Sequence, residues 1–236
     1  MAHLTGTAKA RFVSRMFGRI AQRYDLLNGM MSLCQARRWR RIAAESAAPA
    51  SDGMALDIAT GTGDLALELA ALAGGQVVAS DFSEEMLQRA RTKAAEAGIE
   101  DAVTFILADA HQLPFSDGAF TCATVAFGVR NFTNPLRALA ELRRVVRQDG
   151  RVVCLELVRP NQGVRAALYH LYLRRVVPAL GELVSGDGEA YQYLPESVRS
   201  FLTAGELQAM MESTGLRAVH YRTMNWGTVA VHVGVK

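Results

Sequence analysis

The sequence predicts an α/β fold with a Rossmann-like, mostly parallel sheet that ends in an antiparallel hairpin. Three observations favour it. After residue 50, short apolar runs alternate with amphipathic helical segments, a pattern typical of parallel sheets. The first apolar run leads into a glycine turn, Gly61-Thr62-Gly63, which a helix follows. The last two apolar runs, 217–224 and 228–235, are separated only by Asn225-Trp226-Gly227, which indicates a hairpin.

The other elements follow from periodicity and from residues that begin or end helices. We expect strands at 54–59, 76–80, 103–107, 119–127 and 151–158, and helices at 64–73, from Ser83 to Gly98, after Pro135 and at 204–213. Ser83 is a typical N-cap and Gly98 a typical stop. The apolar spacing predicts two sets of buried positions: Met86, Leu87, Ala90, Ala94 and Ala97, and Leu136, Leu139, Leu142, Val145 and Val146.

The chain divides into a helical extension and one larger domain. Residues 1–50, with helices expected at 8–21 and 32–47, are too few to bury a core of their own, so we read them as an N-terminal extension or lid. Residues 51–236 form the α/β domain, with an insertion at about 160–200 that carries a long amphipathic segment, 164–183.

The charge is uneven, although the net charge is only +3. The first 50 residues hold nine basic and two acidic side chains, which suggests an anionic surface as partner, either a membrane face or a nucleic acid. Within them Arg37, Arg38, Arg40 and Arg41 flank Trp39, and tryptophan favours the headgroup level of a membrane. The alternative interpretation is an ordinary solvated helix face.

Other features exclude several classes of protein. No run of about 18 apolar residues is present, so we expect no spanning helix, and the first residues lack an apolar signal segment. The three cysteines are scattered, and Cys122 and Cys154 fall in apolar runs, which favours buried thiols in a reducing compartment, the cytoplasm. The five histidines show no metal-ligand spacing, so we expect no metal site.

Three acidic residues fall where successive strands end. Asp57, Asp81 and Asp109 close the first three strands, and ligands of open α/β sheets bind at the carboxyl ends of the strands. Glycines at Gly61 and Gly63 let a ligand approach the main chain. Three acids suit a ligand rich in hydroxyl and amino donors, such as S-adenosylmethionine, and suit a polyphosphate poorly.

The glycine turn also fits a second cofactor. Gly61, Gly63 and Ala66 match the dinucleotide fingerprint, and Asp81 follows about 20 residues later, as in an NAD site. Only one nucleotide-binding half is visible, however, whereas a dinucleotide usually needs two. A parallel sheet ending in a hairpin is the usual outline of a class I methyltransferase, so S-adenosylmethionine is favoured over NAD.

Two further segments carry candidate catalytic residues. Phe127-Gly128-Val129-Arg130-Asn131-Phe132 follows the fourth strand at the same sheet edge; it supplies a cation, Arg130, and an amide, Asn131, that both donates and accepts. Tyr24, at the end of the first expected helix, has a hydroxyl that could bond a phenolic oxygen. The alternatives are a surface arginine paired with an acid and an aromatic ring that packs the extension onto the body.

Together these segments resemble the ubiquinone/menaquinone biosynthesis C-methyltransferase family, in particular its demethylmenaquinone methyltransferase-like members. The resemblance covers nearly the whole chain, and its most specific stretches are Tyr24-Asp25-Leu26-Leu27-Asn28, Gly128-Val129-Arg130-Asn131 and Tyr193-Leu194-Pro195-Glu196-Ser197. It implies cofactor contacts at Thr62, Asp81, Asp109, Ala110 and Ala126. The chain departs from the family at Ala126, often a serine, at Thr121, usually an aspartate, and at Asn225-Trp226, commonly a small or polar pair.

The resemblance implies an S-adenosylmethionine-dependent C-methylation of a polyprenylated quinol ring, first of all demethylmenaquinol to menaquinol. Benzoquinol methylation in the ubiquinone branch and methylation of a soluble secondary metabolite are the alternatives. Arg130 would stabilise the phenolate, and Tyr24 and Asn131 would orient the phenol. The insertion could line a channel for the tail or form ordinary core, through Leu168, Leu171, Tyr172, Val176 and Val177.

The remaining expectations concern partners. A lipid-soluble substrate and a basic extension together predict peripheral contact with the cytoplasmic membrane face. Nucleic acid is not expected, since residues 1–50 lack interleaved aromatics and any RNA-binding motif. Whether the chain forms a homodimer stays open.

Overall fold

The computed structural model describes residue 16, residues 29–32, 34–51, 53–73 and 75–160, residues 163, 171, 172 and 175, and residues 188–236. Tyr24 and most of the expected helix at 8–21 lie outside the described residues, as do Leu168, Val176 and Val177. In the described part of the chain no helix is long and apolar enough to cross a membrane. No group of three His, Cys, Asp or Glu side chains among those same residues could hold a metal ion.

A seven-stranded sheet forms the centre of the fold, with strand order β3-β2-β1-β4-β5-β7-β6. Strands β1 to β5 run parallel, and β7 pairs antiparallel with both β5 and β6. Their bounds are Ala55–Ile58 (β1), Val77–Asp81 (β2), Val103–Leu107 (β3), Phe120–Ala126 (β4), Val146–Leu157 (β5), Arg217–Met224 (β6) and Val229–Val235 (β7). The α/β class and the terminal hairpin are thereby confirmed.

The helices lie on both faces of the sheet and bury it in two apolar clusters. They are Ala36–Ala47 (α1), Asp64–Ala73 (α2), Glu84–Glu96 (α3), Pro135–Val145 (α4), Gly188–Ser200 (α5) and Ala204–Ser213 (α6). Ser83 caps α3 as predicted, since its Oγ accepts from Met86 N–H at 3.4 Å. Gly98 follows the end of that helix with φ +67°, a conformation that favours glycine.

Three details of the sequence prediction are wrong. Ala97 is exposed, because α3 ends at Glu96 and Ala97 is only its C-cap. Leu136 is 46% exposed, because it lies in the first turn of α4, before the positions that face the sheet. Strand β5 begins at Val146 rather than at 151, because Val146 already pairs with Phe120 before an irregularity in the register.

The strand order reverses beside β1, which lies between β2 and β4. Chains leaving β1 and β4 therefore turn to opposite faces of the sheet and open a crevice at its carboxyl edge. The glycine turn follows β1, and the segment with Arg130 and Asn131 follows β4. The topology thus brings both predicted groups of site residues to one crevice.

Helix α1 packs its apolar face onto this domain and leaves its polar face exposed. Trp39 is only 4% exposed and meets the Phe127 ring edge-on, with centroids 6.4 Å apart. Its expected place at a membrane interface is therefore wrong, because its ring completes the core between α1 and the sheet. The most exposed large apolar side chain described is instead Trp226, at 74%, in the turn between β6 and β7.

Candidate active site

A buried carboxylate holds the glycine turn after β1. Asp81 Oδ2 accepts from Gly61 N–H at 2.8 Å, and Asp81 Oδ1 accepts from Ser83 N–H at 3.0 Å. Burial raises the pKa of Asp81, and the backbone hydrogen bonds to Ser83, Gly61 and Phe82 oppose that shift. Gly61 has φ +57°, and a Cβ built there would meet nothing within 4 Å. The turn is therefore fixed from below and open on its outer side.

A second carboxylate braces the same turn from inside the sheet. Asp57 is 1% exposed; Thr60 Oγ1 donates to its Oδ2 and Thr124 Oγ1 to its Oδ1, each at 2.6 Å. Burial raises the pKa of Asp57 to about 7, against the lowering effect of these two hydroxyls. Asp57 thus ties the turn after β1 to the neighbouring strand β4.

Ion pairs secure the start of α2, where the turn ends. Arg40 Nη1 lies 2.7 Å from Asp64 Oδ2, and Lys93 Nζ contacts Asp64 Oδ1. Lys93 also donates to Thr62 Oγ1 at 3.3 Å, and Thr62 is 2% exposed. Arg40 therefore points inward, with its side chain 12% exposed, and does not belong to the expected basic surface.

The third acid lies just beyond β3 and is much more open. The side chain of Asp109 is 66% exposed, and its Oδ1 accepts from His111 N–H at 2.9 Å and from His111 Nδ1 at 2.6 Å. What burial it has raises its pKa, but these bonds to His111 outweigh that effect, so the pKa of Asp109 lies below its usual value. It remains an ionised acceptor at the rim of the crevice, and Ala110 beside it is buried.

The loop after β4 is anchored by a residue that the sequence analysis did not single out, Glu156. Its carboxylate, fully buried, accepts from Arg130 Nη1 at 2.6 Å, Arg130 N–H at 3.1 Å and Leu157 N–H at 2.8 Å. Arg130 Nη1 also donates to Phe127 O at 2.5 Å. Arg130 is thus a buried arginine paired with a buried acid. The sequence offered one sign of this role, which is that Glu156 is an acidic residue within the otherwise apolar run of β5.

Asn131 is oriented by a tyrosine from α5. Tyr193 Oη donates to Asn131 Oδ1 at 3.1 Å, and the side chain amide of Asn131 lies 3.4 Å from Phe127 O. Tyr193 is 6% exposed, and burial raises the pKa of its phenol, so it acts as a neutral donor. Tyr193 belongs to one of the specific segments of the family resemblance, although the sequence did not show its partner.

The turn after β1 and the loop after β4 touch across the crevice. A Cβ built on Gly128 would lie 2.8 Å from Ala59 Cβ, so only glycine allows this approach without a shift. Ala126, the last residue of β4, is half-buried there. The structure therefore brings Asp57, Gly61, Gly63 and Asp81 together below the crevice and Arg130 and Asn131 beside it; contacts of these residues with a ligand stay predictions.

This arrangement can be set beside known proteins. The ubiE/COQ5 methyltransferase family matches residues 4–236 of the chain. The demethylmenaquinone methyltransferase of Thermus thermophilus is 48% identical over 93% of this chain and 99% of its own. That of Deinococcus radiodurans is 44% identical, covering 97% and 94%. A ubiquinone/menaquinone biosynthesis C-methyltransferase UbiE from Citrifermentans bemidjiense is 40% identical, covering 97% of each.

Two solved structures that share this fold are S-adenosylmethionine-dependent methyltransferases. One from Thermotoga maritima, described as a possible histamine N-methyltransferase, has TM-score 0.66 and 19% identity over 94% of this chain and 99% of that one. One from Aquifex aeolicus has TM-score 0.62 and 20% identity, covering 89% and 96%. The open glycine turn and the carboxylates at its base and rim fit that cofactor, which carries hydroxyl, amino and ammonium donors.

Replacing Asp57 should change how stability depends on pH. A folded-state pKa raised to about 7 means that between about pH 4 and 7 the folded chain holds a proton that the unfolded chain releases. The bound proton therefore stabilises the folded parent fully below about pH 4, and this stabilisation is lost as the pH rises through 7. Asp57→Asn has no titrating group at this position. The free energy of unfolding of the variant, measured with urea, should therefore rise relative to that of the parent as the pH increases from 4.5 to 8.

The difference between the two proteins isolates the effect of Asp57. Burial lowers the pKa of His232, so His232 makes stability rise with pH, but it does so equally in parent and variant and cancels from their difference. A difference between parent and Asp57→Asn that stays constant from pH 4.5 to 8 would contradict the assignment.

Removing Arg130 alone should destabilise the fold by about 3–5 kcal/mol, because it leaves the carboxylate of Glu156 buried without its partner. Arg130→Ala combined with Glu156→Gln should recover part of that loss, because no buried charge remains. Denaturant unfolding of the two single variants and the double variant measures this coupling. Strictly additive losses would mean that the ion pair does not act as a unit.

Proposed function

Because the chain belongs to the ubiE/COQ5 methyltransferase family, we propose that it methylates the ring of a polyprenylated demethylmenaquinol to give menaquinol. One observation carries the choice of ring. Relatives named for demethylmenaquinone alone are 48% and 44% identical to this chain, whereas relatives named for both quinones are 40% and 38% identical. A benzoquinol of the ubiquinone branch is the second candidate, since those latter names include it.

S-adenosylmethionine, the cofactor, supplies an electrophilic methyl group on a sulfonium. The partner must therefore be electron-rich, which the reduced quinol is and the oxidised quinone is not. Deprotonation of a phenol pushes electron density onto the adjacent ring carbon. That carbon takes the methyl group as the bond from methyl to sulfur breaks, and it then releases its own proton so that the ring is aromatic again. The protein accordingly has to bind the reduced ring, hold the carbon in line and favour the phenolate, and positioning of that kind is worth about 7–11 kcal/mol in favourable cases.

We assign the orienting role to Asn131. Tyr193 Oη donates to Asn131 Oδ1, which fixes the plane of the amide, and Phe127 O lies near its nitrogen. An amide held in this way meets a phenolic oxygen with no rearrangement, which is the basis of preorganised stabilisation. Tyr24 lies outside the described residues, and its role in orienting the phenol stays a prediction.

Arg130 has a more limited role in this proposal than its charge first suggests. Its Nη1 is shared by Glu156 and Phe127 O, so much of the positive charge is compensated within the protein. We therefore assign Arg130 to the geometry of the loop first, and to electrostatic stabilisation of the phenolate second.

The insertion is proposed to receive the isoprenoid tail. Tyr172 Oη donates to Met31 O at 2.9 Å, which ties the insertion to the segment before α1, and burial raises the pKa of this phenol. Leu171 beside it is 56% exposed. An exposed apolar side chain at this junction suits a long hydrocarbon better than a soluble metabolite.

Purified protein with S-adenosylmethionine and short-tailed quinols tests the reaction. We expect demethylmenaquinol to gain one methyl group, with kcat/KM at least about tenfold above that of a benzoquinol of equal tail length. The oxidised quinone should give no product, and Asp81→Ala should serve as a variant with impaired cofactor binding. A preference for the benzoquinol, or for a tailless phenol, would transfer the assignment to that substrate.

Peripheral contact with an anionic membrane is the second part of the proposal. Trp39 contacts Phe127 and Arg40 pairs with Asp64, so the start of α1 lies at the carboxyl edge of the sheet, where Arg37 and Arg38 are exposed. The turn with Trp226 lies at the same edge, since Thr228 O accepts from Val158 N–H just after β5. An exposed tryptophan and two arginines beside the crevice suit a headgroup region.

Arg37→Gln with Arg38→Gln should weaken binding to anionic vesicles by about fivefold for each arginine, and added salt should weaken binding of the parent. Arg147→Gln with Arg217→Gln is the matched control, because these two exposed arginines lie at the opposite edge of the sheet. Vesicle sedimentation measures both pairs. If both double variants lost the same amount of vesicle binding, the assignment of this face to the membrane would be wrong.

A further inference from the structure

One histidine connects the two sides of the crevice. His111 follows Asp109 and Ala110 in the loop after β3, and its ring nitrogens contact residues from two different loops. Nδ1 lies 2.6 Å from Asp109 Oδ1, whereas Nε2 lies 3.2 Å from Asn134 N and 3.1 Å from Thr133 Oγ1. The side chain is 17% exposed, so this ring is a packed part of the structure.

The contacts determine where the proton of the imidazole lies. A backbone N–H can only donate, so His111 Nε2 must accept from Asn134 N–H and carry no hydrogen itself. The proton of the neutral ring is therefore on Nδ1, where it is donated to Asp109. A ring that donates on one side and accepts on the other transmits a change in one partner to the other.

Each end of this link leads to a proposed binding group. Asp109 Oδ1 receives both bonds from His111, and no donor within the described part of the chain contacts Oδ2, which remains for a ligand at the open rim. At the other end, Thr133 and Asn134 directly follow the loop with Arg130 and Asn131. The ring of Phe132, adjacent to Asn131, meets the His111 ring edge-on with centroids 5.7 Å apart.

Asn134 is held by hydrogen bonds of both its side chain and its backbone N–H. Its Oδ1 accepts from Arg137 N–H at 3.0 Å and so caps α4, while Arg137 Nε donates to His111 O at 2.8 Å. The imidazole ring thereby contacts three segments. They are the end of the loop after β4 (residues 127–132, the substrate loop), the start of α4 and the loop after β3.

We propose that His111 is a positioning residue that couples the cofactor site to the substrate loop. When the cofactor binds Asp109, the carboxylate is fixed, His111 is fixed with it, and the loop carrying Asn131 takes the position that the quinol requires. Bound cofactor therefore raises the affinity for the quinol, and bound quinol raises the affinity for the cofactor by the same factor. The substrate part rests on the proposed function, whereas the link from Asp109 to Asn134 does not.

Two amide substitutions of His111 test the link, because each keeps one of its two ring contacts and removes the other. His111→Asn places an amide where Nδ1 lies and can still donate to Asp109, but it does not reach Asn134. His111→Gln places its amide near the position of Nε2 and can accept from Asn134 N–H, but it loses the side-chain bond to Asp109 and keeps only the bond from the backbone N–H of residue 111. His220→Asn and His220→Gln are the matched controls, because the His220 side chain is exposed on β6 and its Nδ1 contacts Ala218 O, two residues away.

The readout is hydrogen exchange of the Asn134 amide with and without S-adenosylhomocysteine, followed by NMR. We expect the ligand to slow this exchange at least about fivefold in the parent and in both His220 variants. The slowing should vanish in both His111 variants, while calorimetry shows that they still bind the ligand. His111→Gln is decisive, since a purely structural role would leave its response intact.

Two results would overturn the link: an Asn134 amide in the parent that ignores the ligand, or a His111→Gln variant that responds like the parent. A second measurement separates the substrate part. Affinity for a short-tailed naphthoquinol should rise at least about fivefold with S-adenosylhomocysteine in the parent and not in the His111 variants. If the parent binds no quinol at all, the proposed function fails, while the exchange result still decides the role of His111.

Discussion

The hydrogen bonds that Asp81 accepts from Gly61 N–H in the glycine turn and from Ser83 N–H after β2 are the constraint on which the proposed cofactor side of the site depends. A carboxylate removed from water is costly unless donors replace the lost hydration. Here Gly61 N–H and Ser83 N–H supply them, so the charge stays buried only while the turn keeps its shape. Asp57 applies the same rule one strand away, with two threonine hydroxyls as donors. The turn is therefore preformed, and its outer face is left open.

The proposed substrate side is built in the same way around a different acid. Glu156 accepts the backbone N–H and the guanidinium of Arg130, which holds the loop after β4 against the end of β5. Gly128 then lets that loop approach Ala59, so the two preformed segments meet at the point where the strand order reverses. Buried ion pairs add little net stability, but this pair fixes where Asn131 stands.

The basic residues of α1 are adjacent in the sequence but lie in different environments in the fold. Counted along the chain, Arg37 to Arg41 form one basic run around a tryptophan. In the fold, helical periodicity turns Trp39 into the core and Arg40 onto Asp64, and leaves Arg37 and Arg38 exposed. Helix α1 is thus both a part of the domain core and the carrier of an exposed basic face beside the crevice.

The sequence by itself determined the fold class, the positions of most strands and helices, the cap at Ser83 and the family, because these depend on local periodicity and on motifs read along the chain. It also located the acids at the strand ends, since parallel strands all end at one edge. It did not reveal Glu156, Tyr193 or His111 as partners of Arg130, Asn131 and Asp109. Those pairs join residues 26, 62 and 2 positions apart, and the outer contacts of His111 lie 22 and 23 positions away. Only the tertiary structure decided them, because a buried polar group selects its partner by proximity in space, which the order of residues along the chain does not encode.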